Sequence, residues 1–174
     1  MKRLVAFAPL FVLLLIAVVS AFLLLRGGER QTISDGRIGR PTPAYELPDL
    51  AGGAVLTNAT HAGRPYVINV FASWCTPCRA EHPNLMVLHA RGVEILGVAY
   101  KDEPAASAEF LRELGNPYAT VGIDRDGRFG LDLGVAGVPE TFVIGADGTI
   151  KAVHRGPLTP EVIEGVILPA LRRG

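Results

Sequence analysis

The feature that most constrains this fold is the way one apolar run ends. Tyr66-Val67-Ile68-Asn69-Val70-Phe71-Ala72 is rich in the β-branched and aromatic residues of a buried strand. It leads directly into Ser73-Trp74-Cys75-Thr76-Pro77-Cys78, and a helical pattern leaves from there over residues 78–90. Both cysteines of the chain therefore lie where a strand becomes a helix. The first N–H groups of a helix are unpaired and carry the positive end of its dipole. A thiolate at Cys75 is thus favoured, with a pKa below the free-thiol value of about 8.5. Cys78, about one turn further in, is expected to face inward and be the less accessible sulfur. Such an asymmetric pair can work in two steps: Cys75 attacks a partner disulfide, and Cys78 then resolves the mixed disulfide.

Taken alone, two cysteines also permit a static bridge or half of a zinc site. Zinc needs two more ligands, and His61, His82, His89 and His154 are not paired at metal-site spacing. No metal and no cofactor are expected. With a formal net charge of zero, there is no electrostatic case for nucleic acid.

The N-terminus reads as a membrane anchor. Met1-Lys2-Arg3 is basic, and residues 4–25 carry no charge, with Pro9 and Ser20 as the interruptions. A signal-peptide core runs about 7–15 residues and a spanning helix needs about 20, so the run fits a span. Val19-Ser20-Ala21 offers a small-residue cleavage site, but Phe22-Leu23-Leu24-Leu25 continues the apolar run beyond it. An uncleaved anchor is favoured over a cleaved signal. Lys2 and Arg3 place the N-terminus in the cytoplasm by the positive-inside rule, with Arg26 and Arg30 pulling the other way. Everything after Leu25 then lies outside the cytoplasm, where disulfides are permitted. Three segments follow: an anchor over 1–25, a Gly- and charge-rich linker over 26–40, and one domain over 41–174, with Pro41-Thr42-Pro43 at its edge.

Within the domain, Ala51-Gly52-Gly53 turns a short hairpin, residues 58–63 read as loop, and strands follow at 66–72 and 93–100. With the cysteine helix between them, these two strands make a right-handed parallel crossover. Residues 104–114 read as a helix, 121–123 as a short strand and 128–133 as a short helix. Strands at 140–144 and 150–154 flank the turn Ala146-Asp147-Gly148-Thr149. Thr159 and Pro160 open a last helix over 161–171, with Pro169 a blemish inside its pattern. Pro83 is expected to bend the cysteine helix, and His82 to lie at the surface.

This order, with Cys-x-x-Cys at the first strand–helix junction, resembles the α/β thioredoxin fold, a central mixed sheet flanked by helices. Trp74-Cys75-Thr76-Pro77-Cys78 matches that family's Trp-Cys-x-x-Cys. Cys78-Arg79-Ala80-Glu81-His82-Pro83, Gly97-Val98-Ala99-Tyr100-Lys101-Asp102 and Gly134-Val135-Ala136-Gly137-Val138-Pro139-Glu140-Thr141-Phe142 are similar to one branch, the membrane-anchored cytochrome c biogenesis thioredoxins called CcmG or DsbE. The likeness covers about residues 41–174 plus the anchor.

The resemblance implies a periplasmic thiol:disulfide reductase held at the inner membrane through residues 4–25. Its expected targets are the oxidised CxxCH thiols of apocytochrome c or a haem-ligation thiol protein, and its electron donor an integral membrane thiol reductase. Cys75 and Cys78 would be the catalytic, redox-active pair. Trp74 would be a partly exposed cover beside Cys75. Pro139 would be cis, aiming the backbone of Val138 at an extended substrate, so that Trp74, Val138 and Pro139 line the groove. Common thioredoxins place a buried Asp six residues before the first cysteine. Asn69 stands there and cannot carry a proton, which passes that role to Glu81 or Glu140. A carboxylate at Glu140 close to Cys75 would oppose the thiolate, so its pKa is expected to be only moderately lowered. Lys101-Asp102-Glu103 reads as a loop, part of the substrate groove. Two other readings stand beside this one: a general periplasmic thiol reductase, and a non-catalytic module that binds apocytochrome.

Overall fold

The computed structural model describes residues 12–15, 19–20 and 36–173. Residues 12–15 and 19–20 are helical. The rest of the expected anchor, and residues 26–35 of the expected linker, lie outside the described residues. No helix among the described residues is long and apolar enough to cross a membrane.

Strands β1 (Glu46–Pro48) and β2 (Val55–Thr57) form the expected hairpin, antiparallel with Leu47 opposite Leu56. The main sheet has five strands: β3 (Tyr66–Phe71), β4 (Ile95–Tyr100), β5 (Thr120–Asp124), β6 (Glu140–Ile144) and β7 (Ile150–Arg155). Their order is β5-β4-β3-β6-β7, so β3 lies at the centre. It pairs in parallel with β4, which pairs in parallel with β5, while β6 and β7 complete the sheet antiparallel. Helix α1 (Thr76–Ala90) links β3 to β4, α2 (Pro104–Leu114) links β4 to β5, and α3 (Arg128–Leu133) precedes β6. The chain closes with α4, which begins at Pro160, passes through a π-helical turn at Ile163–Ile167 and resumes as α-helix over Leu168–Arg172. Pro169 has no N–H to offer the carbonyl four residues back, and the ladder widens in the turn just before it.

Every residue of β3 is buried, because both faces of the sheet are covered. Val67 and Phe71 face a core made with Leu85 and Leu88 of α1, Phe110 and Leu111 of α2, and Ile163 and Ile167 of α4. Tyr66, Ile68 and Val70 face a second core made with Leu47 and Leu56 of the hairpin and Phe129 and Leu133 of α3. Asn69 shares the period-two face of Val67 and Phe71, and so points under α1.

Two sequence expectations change. Residues 58–63 are not all loop: Asn58–His61 form a 3-10 turn, closed by a reciprocal capping box between Thr57 and Thr60. Its His61 is buried, bonded to Glu94 at 2.6 Å and Thr120 at 3.1 Å. The domain also begins earlier than residue 41. Residues 36–174 are one unit, with Gly39 N–H on Ile150 O at 2.8 Å and Ile150 N–H on Arg40 O at 2.9 Å. Those bonds knit residues 36–40 to the start of β7, so they belong to the domain and not to the linker.

Candidate active site

β3 delivers its C-terminal end to the redox turn, and α1 begins on it. Cys75 is the N-cap of α1: its backbone is extended, and its Sγ accepts the N–H of Cys78 at 3.1 Å. A sulfur thus occupies the place usually taken by a Ser or Asp oxygen, on an otherwise unpaired first-turn donor. Cys75 and Cys78 form a disulfide, with Cα atoms 5.3 Å apart. Both are buried, at 4% exposure for Cys75 and 1% for Cys78. The expected asymmetry has the expected sense but is small, because Cys75 also belongs to the core that Cys78 enters. Trp74 is 60% exposed, and Thr76 and Pro77 are exposed as well.

Trp74 is held by its indole N–H, which donates to Lys101 O at 3.2 Å. The adjoining Asp102 carboxylate takes four bonds, two of them from Ser73. The 101–103 loop therefore clasps the redox turn from the side of β4.

Val138–Pro139 is a cis peptide. The β3–β6 register pairs Val70 with Glu140, so Pro139 lies one step further, at the edge where β3 passes into the redox turn. Val138 is half-buried and packs against both cores.

The two glutamates separate clearly. Glu81 is 1% exposed and lies one turn beyond Cys78 on α1. Its Oε1 accepts from Asn69 Nδ2 at 2.9 Å and its Oε2 from Leu158 N–H at 2.7 Å. Asn69 also donates to Thr141 Oγ1 at 3.2 Å and accepts from Tyr118 OH at 2.8 Å. Burial pushes the Glu81 carboxyl up to about 7, against the opposing pull of those two donors. Tyr118 is held well above its ordinary value by the same burial.

Glu140, also buried, is engaged otherwise. Arg155 Nη1 donates to both of its oxygens, at 2.7 and 2.8 Å. The N–H groups of Ala136 and Gly137 donate to Oε1 at 2.9 and 3.1 Å. This carboxylate pins the loop that carries Pro139 and is matched by a guanidinium. Glu140, expected to support the thiols as a proton carrier or a charge near Cys75, is thus held by a guanidinium and two backbone N–H groups.

His82 is likewise corrected: it is 2% exposed, not at the surface. α2 packs over it, with Phe110 meeting the imidazole edge-on at 5.4 Å and Gly115 O 3.0 Å from Nε2. Burial lowers its pKa. Sequence reasoning missed Arg155, which carried no motif signal. It placed Asp102 in a loop of the substrate groove but gave it no specific contact, although the β3–β4 crossover alone puts residues 73 and 102 at one sheet edge. Among the described residues, no group of three or more His, Cys, Asp or Glu could hold a metal ion.

A central mixed sheet with a Cys-x-x-Cys disulfide capping the helix after its middle strand, and a cis proline alongside, defines a thioredoxin-like thiol:disulfide oxidoreductase. Comparison with known proteins narrows this. The Redoxin family model matches residues 37–167. The chain is 41% identical over 174 residues to the Escherichia coli K12 thiol:disulfide interchange protein DsbE, covering 97% of this chain and 94% of that protein. It is 47% identical over 134 residues to the Rhodobacter capsulatus thiol:disulfide interchange protein HelX, covering 76% of each. A thioredoxin-family thiol:disulfide interchange protein from Chlorobium tepidum TLS has a similar structure, with a TM-score of 0.62, 28% identity, and coverage of 79% of this chain and 99% of that one. The chain belongs to the Redoxin family and, within it, to the CcmG/DsbE group.

Proposed function

We propose that this protein is a membrane-tethered periplasmic reductase of cytochrome c maturation. Cys75 is its nucleophile. The observation that carries this reading is the N-cap position of Cys75, whose sulfur already accepts the Cys78 N–H at 3.1 Å. In the reduced protein the same donor and the helix N-terminus stabilise a thiolate there. That thiolate attacks one sulfur of a target disulfide, forming a mixed disulfide and releasing a target thiolate. Cys78, deprotonated, attacks Cys75 Sγ; the Cys75–Cys78 disulfide forms and the second target thiolate leaves. Two electrons pass to the target. Glu81, buried and with a pKa near 7, takes up the proton from Cys78 through the site's interior.

The target assignment, apocytochrome CxxCH or a haem-ligation thiol protein, rests on the motif resemblance and on relatives that are thiol:disulfide interchange proteins. The membrane tether rests on the uncharged run at residues 4–25, and the electron donor would be an integral membrane thiol reductase.

The test is a Cys78→Ala variant of the full chain, which cannot resolve its mixed disulfide. Mass spectrometry of the trapped species should find a CxxCH protein or a haem-ligation thiol protein. Traps on unrelated periplasmic proteins alone would instead favour a general reductase. Full haem attachment in cells carrying Cys75→Ser would make the protein a binding module without redox turnover.

A further inference from the structure

We infer that Asp102 is a positioning residue for thiol–disulfide exchange: it fixes the Ser73-Trp74 segment so that Trp74 presents a set face beside Cys75 to an incoming polypeptide. The Asp102 carboxylate is buried and saturated. Oδ2 accepts from Ser73 N–H at 2.7 Å and Ser107 Oγ at 2.7 Å. Oδ1 accepts from Ser73 Oγ at 2.8 Å and Glu103 N–H at 2.9 Å. Each oxygen thus takes one backbone N–H and one hydroxyl. One carboxylate joins the residue before Trp74 to the first turn of α2, across the ends of two neighbouring parallel strands.

The preceding residue extends the clasp. Lys101 has φ 48°, a left-handed conformation that side chains other than glycine rarely adopt. It is held there by its N–H on Asp124 O at 2.9 Å. Its ammonium lies 5.2 Å from the centre of the Tyr100 ring, and its stem fills the space a Cβ on Gly127 would need. In that conformation Lys101 O accepts the Trp74 indole N–H at 3.2 Å. Trp74 is thereby tied at both ends, its backbone neighbour by Asp102 and its ring by Lys101. A side chain 60% exposed yet anchored at its one polar atom is suited to meeting a macromolecular surface. A small disulfide needs only the sulfur; a polypeptide must also fit the ring.

Asp102→Asn is the informative change. Whichever way the amide turns, its NH2 faces one backbone N–H, so a bond to Ser73 or to Glu103 is lost, while the hydroxyls can rotate to adapt. Trp74 is the chain's one tryptophan, so its fluorescence anisotropy reports this site alone. In the full-length chain, Asp102→Asn is expected to lower that anisotropy. It should also slow mixed-disulfide formation with an oxidised Cys-x-x-Cys-His peptide about tenfold more than with glutathione disulfide. Combined with Trp74→Phe, it should add less than about twofold to the loss that Trp74→Phe causes alone. Ser107→Ala leaves both Ser73 bonds in place and should change neither anisotropy nor the ratio of the two rates. If Asp102→Asn does not fold, Ser73→Ala, which keeps the backbone bond, carries the same comparison with a smaller change in the same direction.

Unchanged anisotropy, an equal loss with both disulfides, or losses that multiply with Trp74→Phe would each reduce Asp102 to a support of α2 and overturn the inference. The inference rests on Cys75 as the attacking sulfur, not on its natural target. A peptide that does not react with the unmodified protein would count against the cytochrome reading and leave the anisotropy result to decide this one.

Discussion

Glu81 is pulled in two directions. Burial favours its neutral form, while Asn69 and the Leu158 N–H favour the carboxylate. Burial wins, raising the pKa from 4.5 to about 7. A raised acid pKa means the folded state holds the proton more tightly than the unfolded chain. The associated stability is full below about pH 4.5 and is lost as pH rises through about 7. The shift corresponds to about 3 kcal/mol. Glu81→Gln should therefore flatten denaturant-measured stability between those pH values; parallel curves for the two proteins would show that Glu81 does not titrate there. His82 works with the opposite sign. Its lowered pKa contributes stability that is present above its ordinary 6.5 and is lost as pH falls. At this scale the cysteines were legible, because chemistry and spacing coincide in one short motif. The burial of His82 was not, because it depends on α2 docking over α1.

The support under the sulfurs is built by whole elements. β4 passes Gly97 beneath Tyr118, whose hydroxyl holds Asn69, which in turn holds Glu81. A Cβ at Gly97 would lie 2.7 Å from the Tyr118 ring, whereas one at Gly165 would meet nothing. Gly97→Ala should cost about 1–3 kcal/mol, because a packed ring must move. In the same denaturation measurement Gly165→Ala should stay within about 1 kcal/mol of the unmodified protein or exceed it. Equal behaviour of the two would mean that Tyr118 yields freely. Most elements could be read from their periodicity. The 3-10 turn at Asn58–His61 could not, because Thr57 and Thr60 cap it without the acidic or amide partner that marks a capping box in a sequence. His61 is then fixed by Glu94 and Thr120, residues supplied by other parts of the chain.

At the scale of the molecule, residues 36–174 form their own unit, with both faces of the sheet covered from within it. Expressed alone, that segment should fold with an unchanged denaturation midpoint and remain in the soluble fraction. The full chain, carrying the uncharged run at 4–25, should sediment with membranes and resist a high-salt wash. A full chain that stays soluble with its N-terminus intact would remove the tether from the proposed function. Periplasmic placement is checked in the same cells by protease access to the domain from the outer side.

Local chemistry by itself determined the strand–turn–helix around the thiols, the α/β order and the candidate pair Cys75 and Cys78, since each depends on neighbours in the chain. Tertiary structure alone decided how the two buried glutamates are held. Glu140 meets Arg155 across a strand pair, while Glu81 is buried against Asn69 and Leu158. The side-chain partner of Glu140, 15 positions away, and the partners of Glu81, 12 and 77 positions away, lie beyond the reach of any local pattern.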